Sequence, residues 1–333
     1  MESILLGHGS GGKLMHELLD GFVLKELDND ILRKKMDSGI FSMGNKRIAF
    51  TTDSYVVNPV VFPGGDIGSL AVYGTVNDLS VCGAKPLYIS LGVIIEEGLE
   101  RRLLERIVRS IKEALKRSGV LVVTGDTKVV EKGSCDKIFI NTAGIGEVYY
   151  EGLSTKSIRP GDSVIVNGPI GEHAISVLSK REGMEFETGI SSDAAPLNGL
   201  IAKVLKASGK VRLMRDPTRG GIATTLNEMV MGMPFGIAVD ESEVPVSKAV
   251  KSASELLGLD SLYLACEGRV IVVTAPEDEK KVLRAMKADG LGRSARCIGR
   301  VTREHKGRVW LNMASGGRRI LDMLSGEQLP RIC

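Results

Sequence analysis

The last residue of this sequence is a thiol, Cys333, preceded by Pro330, Arg331 and Ile332. Pro330 biases Leu329 toward extended backbone and removes an amide donor, so the tail is not expected to continue a helix. Gly326 is placed to stop a preceding helical stretch over 318–325. Residues 326–333 would reach up to about 25–30 Å when extended, the geometry of an arm that carries sulfur into and out of a site. Five aspartates form the second chemical signal: Asp37, Asp53, Asp78, Asp126 and Asp216. Asp53 and Asp126 each follow an apolar run, so strand ends would present them at one edge. Asp78 falls inside an apolar helical pattern, where a carboxylate is costly unless paired or bound to metal. Clustered carboxylates beside phosphates are the usual magnesium arrangement.

The segment Gly7-His8-Gly9-Ser10-Gly11-Gly12-Lys13-Leu14 almost fits a phosphate-binding P-loop. Leu14 has no hydroxyl for a magnesium ion, so a P-loop is rejected. The glycines still permit close backbone approach to an anion, and Lys13 adds positive charge.

The elements that must hold these groups follow from hydrophobic spacing. Strands are expected at 3–6, 46–52, 86–95, 120–124 and 137–149, with helices at 68–81 and 99–116. After a turn at 159–162 the pattern resumes, with strands at 163–166, 237–239, 270–274, 297–301 and 309–311. Helices are expected at 172–180, 197–206, 222–231, 246–257 and 277–287. This mixture has no strict βαβ rhythm and predicts an α+β fold. The domains read as a Gly-rich arm and helix over 1–36, an N-terminal domain over 37–155, a C-terminal domain over 156–315, and a mobile tail over 316–333.

The chain has 333 residues, 43% of them hydrophobic and only 4% aromatic, so aliphatic side chains must fill two cores. Its net charge of +3 comes without a long basic run, which gives no reason to expect nucleic acid. No apolar run spans a membrane, and the start lacks a signal core, so a cytoplasmic protein is expected. Five widely spaced cysteines argue against both a disulfide framework and a CxxC metal site.

Thr51-Thr52-Asp53, Asn77-Asp78, Gly125-Asp126-Thr127-Lys128 and Asp216-Pro217-Thr218-Arg219-Gly220-Gly221 together resemble the aminoimidazole ribonucleotide synthetase and selenophosphate synthetase superfamily, over essentially the whole chain. The Gly-rich arm and the terminal Pro330-Arg331-Ile332-Cys333 are similar to one branch, the carbamoyl dehydratases of hydrogenase maturation. That resemblance implies an N-terminal α/β domain that dimerises, a C-terminal α+β domain, and ATP with Mg2+ between them. It implies Asp37, Asp78 and Asp216 as magnesium ligands, with Asp53 a further one. Gly9, Ser10, Gly11, Gly12, Lys13, Asp53, Asp126, Asn167 and Gly168 would contact the nucleotide, and Arg219-Gly220-Gly221 would line the cleft.

The implied reaction is ATP-dependent dehydration of a carbamoyl group on Cys333 to a thiocyanate, the source of the cyanide ligand of [NiFe] hydrogenase iron. Implied partners are the carbamoyltransferase HypF, the iron–cyanide assembly proteins HypC and HypD, and a second copy of the chain. Glu267, a carboxylate between apolar neighbours and Gly268, is the expected base, its proton affinity raised by its surroundings. Lys128 would orient the carbamoyl group or polarise a phosphate oxygen. His8, His173, Glu172 and Asp193 are weaker candidates. The α-carboxylate of Cys333 should disfavour its thiolate, with Arg331 partly offsetting that. Two other readings compete. A selenophosphate synthetase would carry a reactive Cys near the Gly-rich arm, and residues 3–13 have none. A non-catalytic thiol carrier would leave the aspartates without a role.

Overall fold

The structure is a computed structural model that describes residues 3–183, 189–326, 329 and 331–333. Its N-terminal sheet uses β1 (Gly39–Met43), β2 (Lys46–Tyr55), β5 (Ala84–Glu96), β6 (Leu121–Val130) and β7 (Ile138–Val148), in the order β1-β2-β7-β5-β6. A small hairpin, β3 (Val61–Phe62) with β4 (Gly65–Asp66), precedes helix α3. The arm carries short helices α1 (Lys13–Leu18) and α2 (Leu24–Glu26), ahead of α3 (Ile67–Val81) and α4 (Arg101–Ser118). Only β5 and β6 run parallel in this sheet, because α4 crosses between them.

The second sheet has the order β14-β13-β10-β12-β8-β11-β9. It comprises β8 (Ser163–Val166), β9 (Val211–Arg215), β10 (Gly236–Asp240), β11 (Ile271–Thr274), β12 (Arg296–Thr302), β13 (Val309–Asn312) and β14 (Arg318–Ile320). Helices α5 (Glu172–Arg181), α6 (Asn198–Ala207), α7 (Gly221–Val230), α8 (Lys248–Leu257) and α9 (Glu279–Lys287) complete this half. The first sheet ends at Val148 and the second begins at Ser163, with the expected turn between them, where Arg159 N donates to Asp162 Oδ2 at 2.7 Å. Among the described residues no helix is long and apolar enough to cross a membrane.

Helix α3 positions the chemistry. It is buried along almost its whole circumference, as a helix of apolar and small residues with no distinct polar face requires. Asp66 caps its start by accepting from Gly68 N and Ser69 N at 2.9 and 3.0 Å. α4 covers it with Ile107, Ile111 and Ala114, spaced as one helical face. A Cβ on Gly68 would lie 2.7 Å from the Ile107 carbonyl oxygen, so glycine permits this helix contact.

Several expectations change. Residues 3–6 do not form a strand; a 3₁₀ turn covers Leu6–Gly9. β1, β9 and β14 were not foreseen, being short or locally polar, and each is held by pairing with a neighbouring strand. The expected helical stretch over 318–325 begins instead as strand β14, whose Trp310–Ile320 and Asn312–Arg318 pairings anchor the segment read as a mobile tail. Pro330 lies outside the described residues.

Gly68→Val should cost about 1–3 kcal/mol of stability, since α4 must move to admit the side chain. Chemical denaturation measures this, and a change below about 0.5 kcal/mol would mean that the α3–α4 contact yields freely.

Candidate active site

Four of the five aspartates converge. Asp37 precedes β1, Asp53 lies within β2, Asp78 sits near the end of α3 and Asp216 follows β9. All four line one cavity of about 230 Å³, with Thr51, Arg215, Arg219, Glu228, Glu267 and Cys333. Carboxylate oxygens of Asp37, Asp78 and Asp216 lie within 4.8 Å of one another. Thr51 Oγ1 is 2.9 Å from both the Asp37 carbonyl oxygen and Asp78 Oδ2. A single hydroxyl proton cannot serve both acceptors fully, so a proton on Asp78 completes the pattern.

Electrostatics point the same way. Burial pushes Asp78 well above the usual carboxylate range, and the charges of Asp216, Asp53 and Asp37 add to it. Burial, with the charge of Asp37, lifts Asp216 to about 7. Asp37 and Asp53 are raised by burial too, against the opposing charges of Arg215 and Arg219 respectively. Arg215 Nε lies 3.0 Å from Asp37 Oδ1, and its Nη2 donates to Glu228 at 2.9 Å. Negative charge therefore exceeds local positive charge. Asp37 Oδ2 is buried and has no protein partner among the described residues. An all-oxygen cluster with an unpaired buried oxygen fits a hard divalent cation such as Mg2+.

Glu267 reaches the same cavity from the loop after α8. The Asp193 carboxylate accepts from Glu267 N at 3.3 Å and Gly268 N at 3.2 Å. A Cβ on Gly268 would fall 1.9 Å from the Asp193 carbonyl oxygen, so only glycine fits there. Asn77, the neighbour of Asp78, donates to the Glu267 carbonyl at 3.3 Å and accepts from Leu197 N at 2.8 Å. α3 thus fixes the metal-type carboxylate and the Glu267 loop together. Glu267 Oε1 is buried without a protein partner among the described residues. Burial holds its carboxyl well above the usual range, reinforced by Asp216, Asp53 and Asp193. Glu172 and Asp193 flank Arg269, at 2.6 and 3.5 Å, and support this loop from outside the cavity.

Cys333 lines the acidic cavity and also a smaller one of about 180 Å³ beside Gly9, Ser10, Arg219 and Tyr263. Burial pushes its thiol up to about 12. The offsetting cation is Arg219, whereas Arg331, expected in that role, turns its guanidinium to the Val56 carbonyl and Asp136.

The Gly-rich arm is in place. Gly11 lines the acidic cavity, Arg219 Nη1 donates to Gly9 O at 3.1 Å, and Lys13 N donates to Leu324 O at 2.8 Å. Gly12 is buried, while the Lys13 side chain is exposed and lines neither of these two cavities. His8 is buried against the Leu5 backbone.

Within one chain, four further expected site residues stand away from both cavities. Asp126 and Lys128 lie mid-strand on the exposed β6 and pair with each other at 2.6 Å, outside both cavities. Sheet order explains the failure of the common edge: β7 and β5 separate β2 from β6, three steps of about 4.8 Å each. Asn167 is fully used in support, donating to Gly268 O and Leu291 O and accepting from Val270 N. Gly168 beside it packs against Arg269. Asn77, Arg215 and Glu228 were missed, and the first two adjoin an aspartate that was found.

Residues 35–148 match the N-terminal domain model of AIR synthase related proteins, and residues 159–312 match its C-terminal domain model. The carbamoyl dehydratase HypE of Rhizobium leguminosarum bv. viciae is 50% identical over 331 residues, covering 98% of this chain and 94% of that protein. The chain belongs to the HypE carbamoyl dehydratase family. A crystal structure of a HypE–HypF complex superposes with a TM-score of 0.87 at 46% identity, over 92% of this chain and 99% of that one. HypE in complex with ATP gives 0.84 at 44% identity, over 99% and 100%. The two-domain α+β architecture of this HypE family member is the one its sequence implied.

In the metal-free HypE family member Asp216 binds its proton more tightly folded than unfolded. The folded state then holds the extra proton between about pH 4 and 7, so stability falls as pH rises through that window. The Tm in EDTA should drop from pH 5.5 to 8, magnesium should restore it at pH 8, and Asp216→Asn should flatten the profile. A Tm indifferent to both pH and magnesium would remove the aspartates as a metal site.

Proposed function

We propose that this protein dehydrates a carbamoyl group carried on Cys333, using ATP, to give a thiocyanate for the iron of [NiFe] hydrogenase. The observation that carries this reading is the shared cavity: the Cys333 thiol, the aspartate cluster and Glu267 line one space. ATP enters on the likeness to a HypE–ATP complex. Asp37, Asp78 and Asp216, with Asp53, would hold magnesium, which supplies charge neutralisation to the phosphates when bound.

The chain's own groups account for the remaining chemistry. The carbamoyl oxygen attacks the γ-phosphorus and ADP leaves, which turns a poor leaving group into phosphate. Glu267 accepts an N–H proton; burial among apolar and acidic groups gives its carboxylate a high proton affinity. As the C–O bond breaks, the departing phosphate takes the second N–H proton and leaves with the oxygen, so that S–C≡N remains on the sulfur. Arg219 borders both cavities beside Cys333 and is the cation placed to meet the departing phosphate.

Carbamoylation itself requires the thiol to leave its docked position, because burial suppresses the thiolate there. We assign that step to a carbamoyltransferase of the HypF type, and delivery of cyanide to HypC and HypD. We also propose a homodimer. β6 is an edge strand exposed along its length, with Leu121, Val123 and Val129 each more than 60% exposed, the kind of edge that invites strand pairing. In such a pair Asp126 and Lys128 would stand at the subunit boundary, the placement in which they could meet a nucleotide.

Mass analysis of the C-terminal peptide tests the reaction. After treatment with carbamoyltransferase, carbamoyl phosphate and ATP, it should gain a carbamoyl group, then lose one water on addition of magnesium–ATP. Cys333→Ala should abolish both changes while retaining ATP binding, and Glu267→Gln should bind ATP but slow the water loss about 10²-fold or more. An adduct that ATP leaves unchanged would overturn the reading. For the dimer, sedimentation of a Val123→Glu, Val129→Glu double variant should give a monomer; an unchanged oligomer would move the interface elsewhere.

A further inference from the structure

The final residues are held with unusual completeness for a chain end. Val56 N donates to Cys333 O at 3.1 Å and Asn58 N to Arg331 O at 3.2 Å, so the tail lies antiparallel along residues 56–58 just beyond β2. Arg181, at the end of α5, donates from Nη2 to the same Arg331 oxygen at 2.9 Å. Such main-chain contacts would accept any sequence.

Side chains make the groove selective. Ile332 is buried in the N-terminal core cluster, which includes Ala174, Leu264 and Ala265. Arg331 Nε donates to Val56 O at 2.9 Å while Nη1 reaches Asp136 Oδ2 at 2.7 Å, a two-pronged contact that lysine cannot copy. Arg331 adopts φ +50°, a left-handed conformation that non-glycine residues seldom take unless held.

The remaining carbonyl, that of Ile332, meets His173. Its Nε2 lies 2.8 Å from Ile332 O, and its Nδ1 lies 2.8 Å from Ser192 Oγ. A carbonyl only accepts, so Nε2 carries the proton and Nδ1 accepts from the Ser192 hydroxyl. The ring is fully buried and edge-packed on Phe62 at 5.3 Å. The imidazole is therefore fixed on three sides, and it grips the peptide unit immediately before Cys333.

We propose that the groove between residues 56–58 and α5 is a recognition site for the Arg331–Ile332 pair, with His173 as the positioning residue that sets how far Cys333 enters the acidic cavity. A slip of one residue in this pairing would turn the thiol to the opposite face. The same contacts set the ratio of docked to released tail, and hence how often the thiol is available to another protein.

The test uses the full chain and follows Cys333 alkylation by iodoacetamide, read as the mass of the C-terminal peptide. His173→Ala should accelerate labelling about tenfold, the factor by which the released fraction grows. It should also slow single-turnover dehydration of the carbamoylated protein with ATP affinity unchanged. His173→Gln, whose amide can still donate to Ile332 O, should recover both. Asp136→Ala at the rim should accelerate labelling in the same direction and guards against loss of fold in the His173 variants. Wild-type labelling in both His173→Ala and Asp136→Ala would overturn the recognition site. Faster labelling with wild-type single-turnover dehydration would overturn the positioning role. The dehydration arm rests on the proposed reaction, whereas the labelling arm does not, so the two failures are separable.

Discussion

Confining four aspartates around one small cavity is the constraint that organises this molecule. Carboxylates removed from water repel one another, and among the described residues only Arg215 and Arg219 oppose them at the cavity wall. The protein answers with raised proton affinities at Asp78 and Asp216, while a buried oxygen of Asp37 has no protein partner among the described residues. That arrangement needs rigid support, since a mobile segment would swing its carboxylate back into solvent. α3 provides it through burial on nearly all sides and through Asn77, which ties Asp78's helix to the Glu267 loop. Charge repulsion at the site and dense packing behind it are two halves of one design.

Much of this was legible in the sequence, for identifiable reasons. Asp78 announced itself because a carboxylate within an apolar helix has few innocent explanations. Glu267 did so because it stands beside apolar residues and a glycine, and the fold then shows why that glycine admits no side chain. The failures are equally specific. Asp126 resembled Asp53 because both follow apolar runs, but run length carries no information on strand order, and order places them on strands separated by two others. Asn167 was expected at the nucleotide because the family resemblance implied it, yet its amide is consumed by three backbone bonds. Arg215 and Asn77 were overlooked because charge balance and interdomain hydrogen bonds depend on which surfaces meet, a property of the folded chain alone.

The tail illustrates the same limit. Sequence described its reach, and folding decided where it lies. Strand β14 anchors one end and the 56–58 groove holds the other, so Cys333 faces the carboxylates in the docked form. The docked thiol is poorly nucleophilic because it is buried, which suits a group that carries a substrate rather than attacks one.

The backbone link between Lys13 N and Leu324 O, with Arg219 bridging to Gly9 O, brings both ends of the sequence to the rim of one cavity. A purification handle placed after Cys333 would have to thread out through the acid-lined space, and one placed close before Gly7 would crowd the smaller cavity beside it. For protein production this favours carrying any handle on an internal surface loop, such as the exposed hairpin turn at Gly44 between β1 and β2.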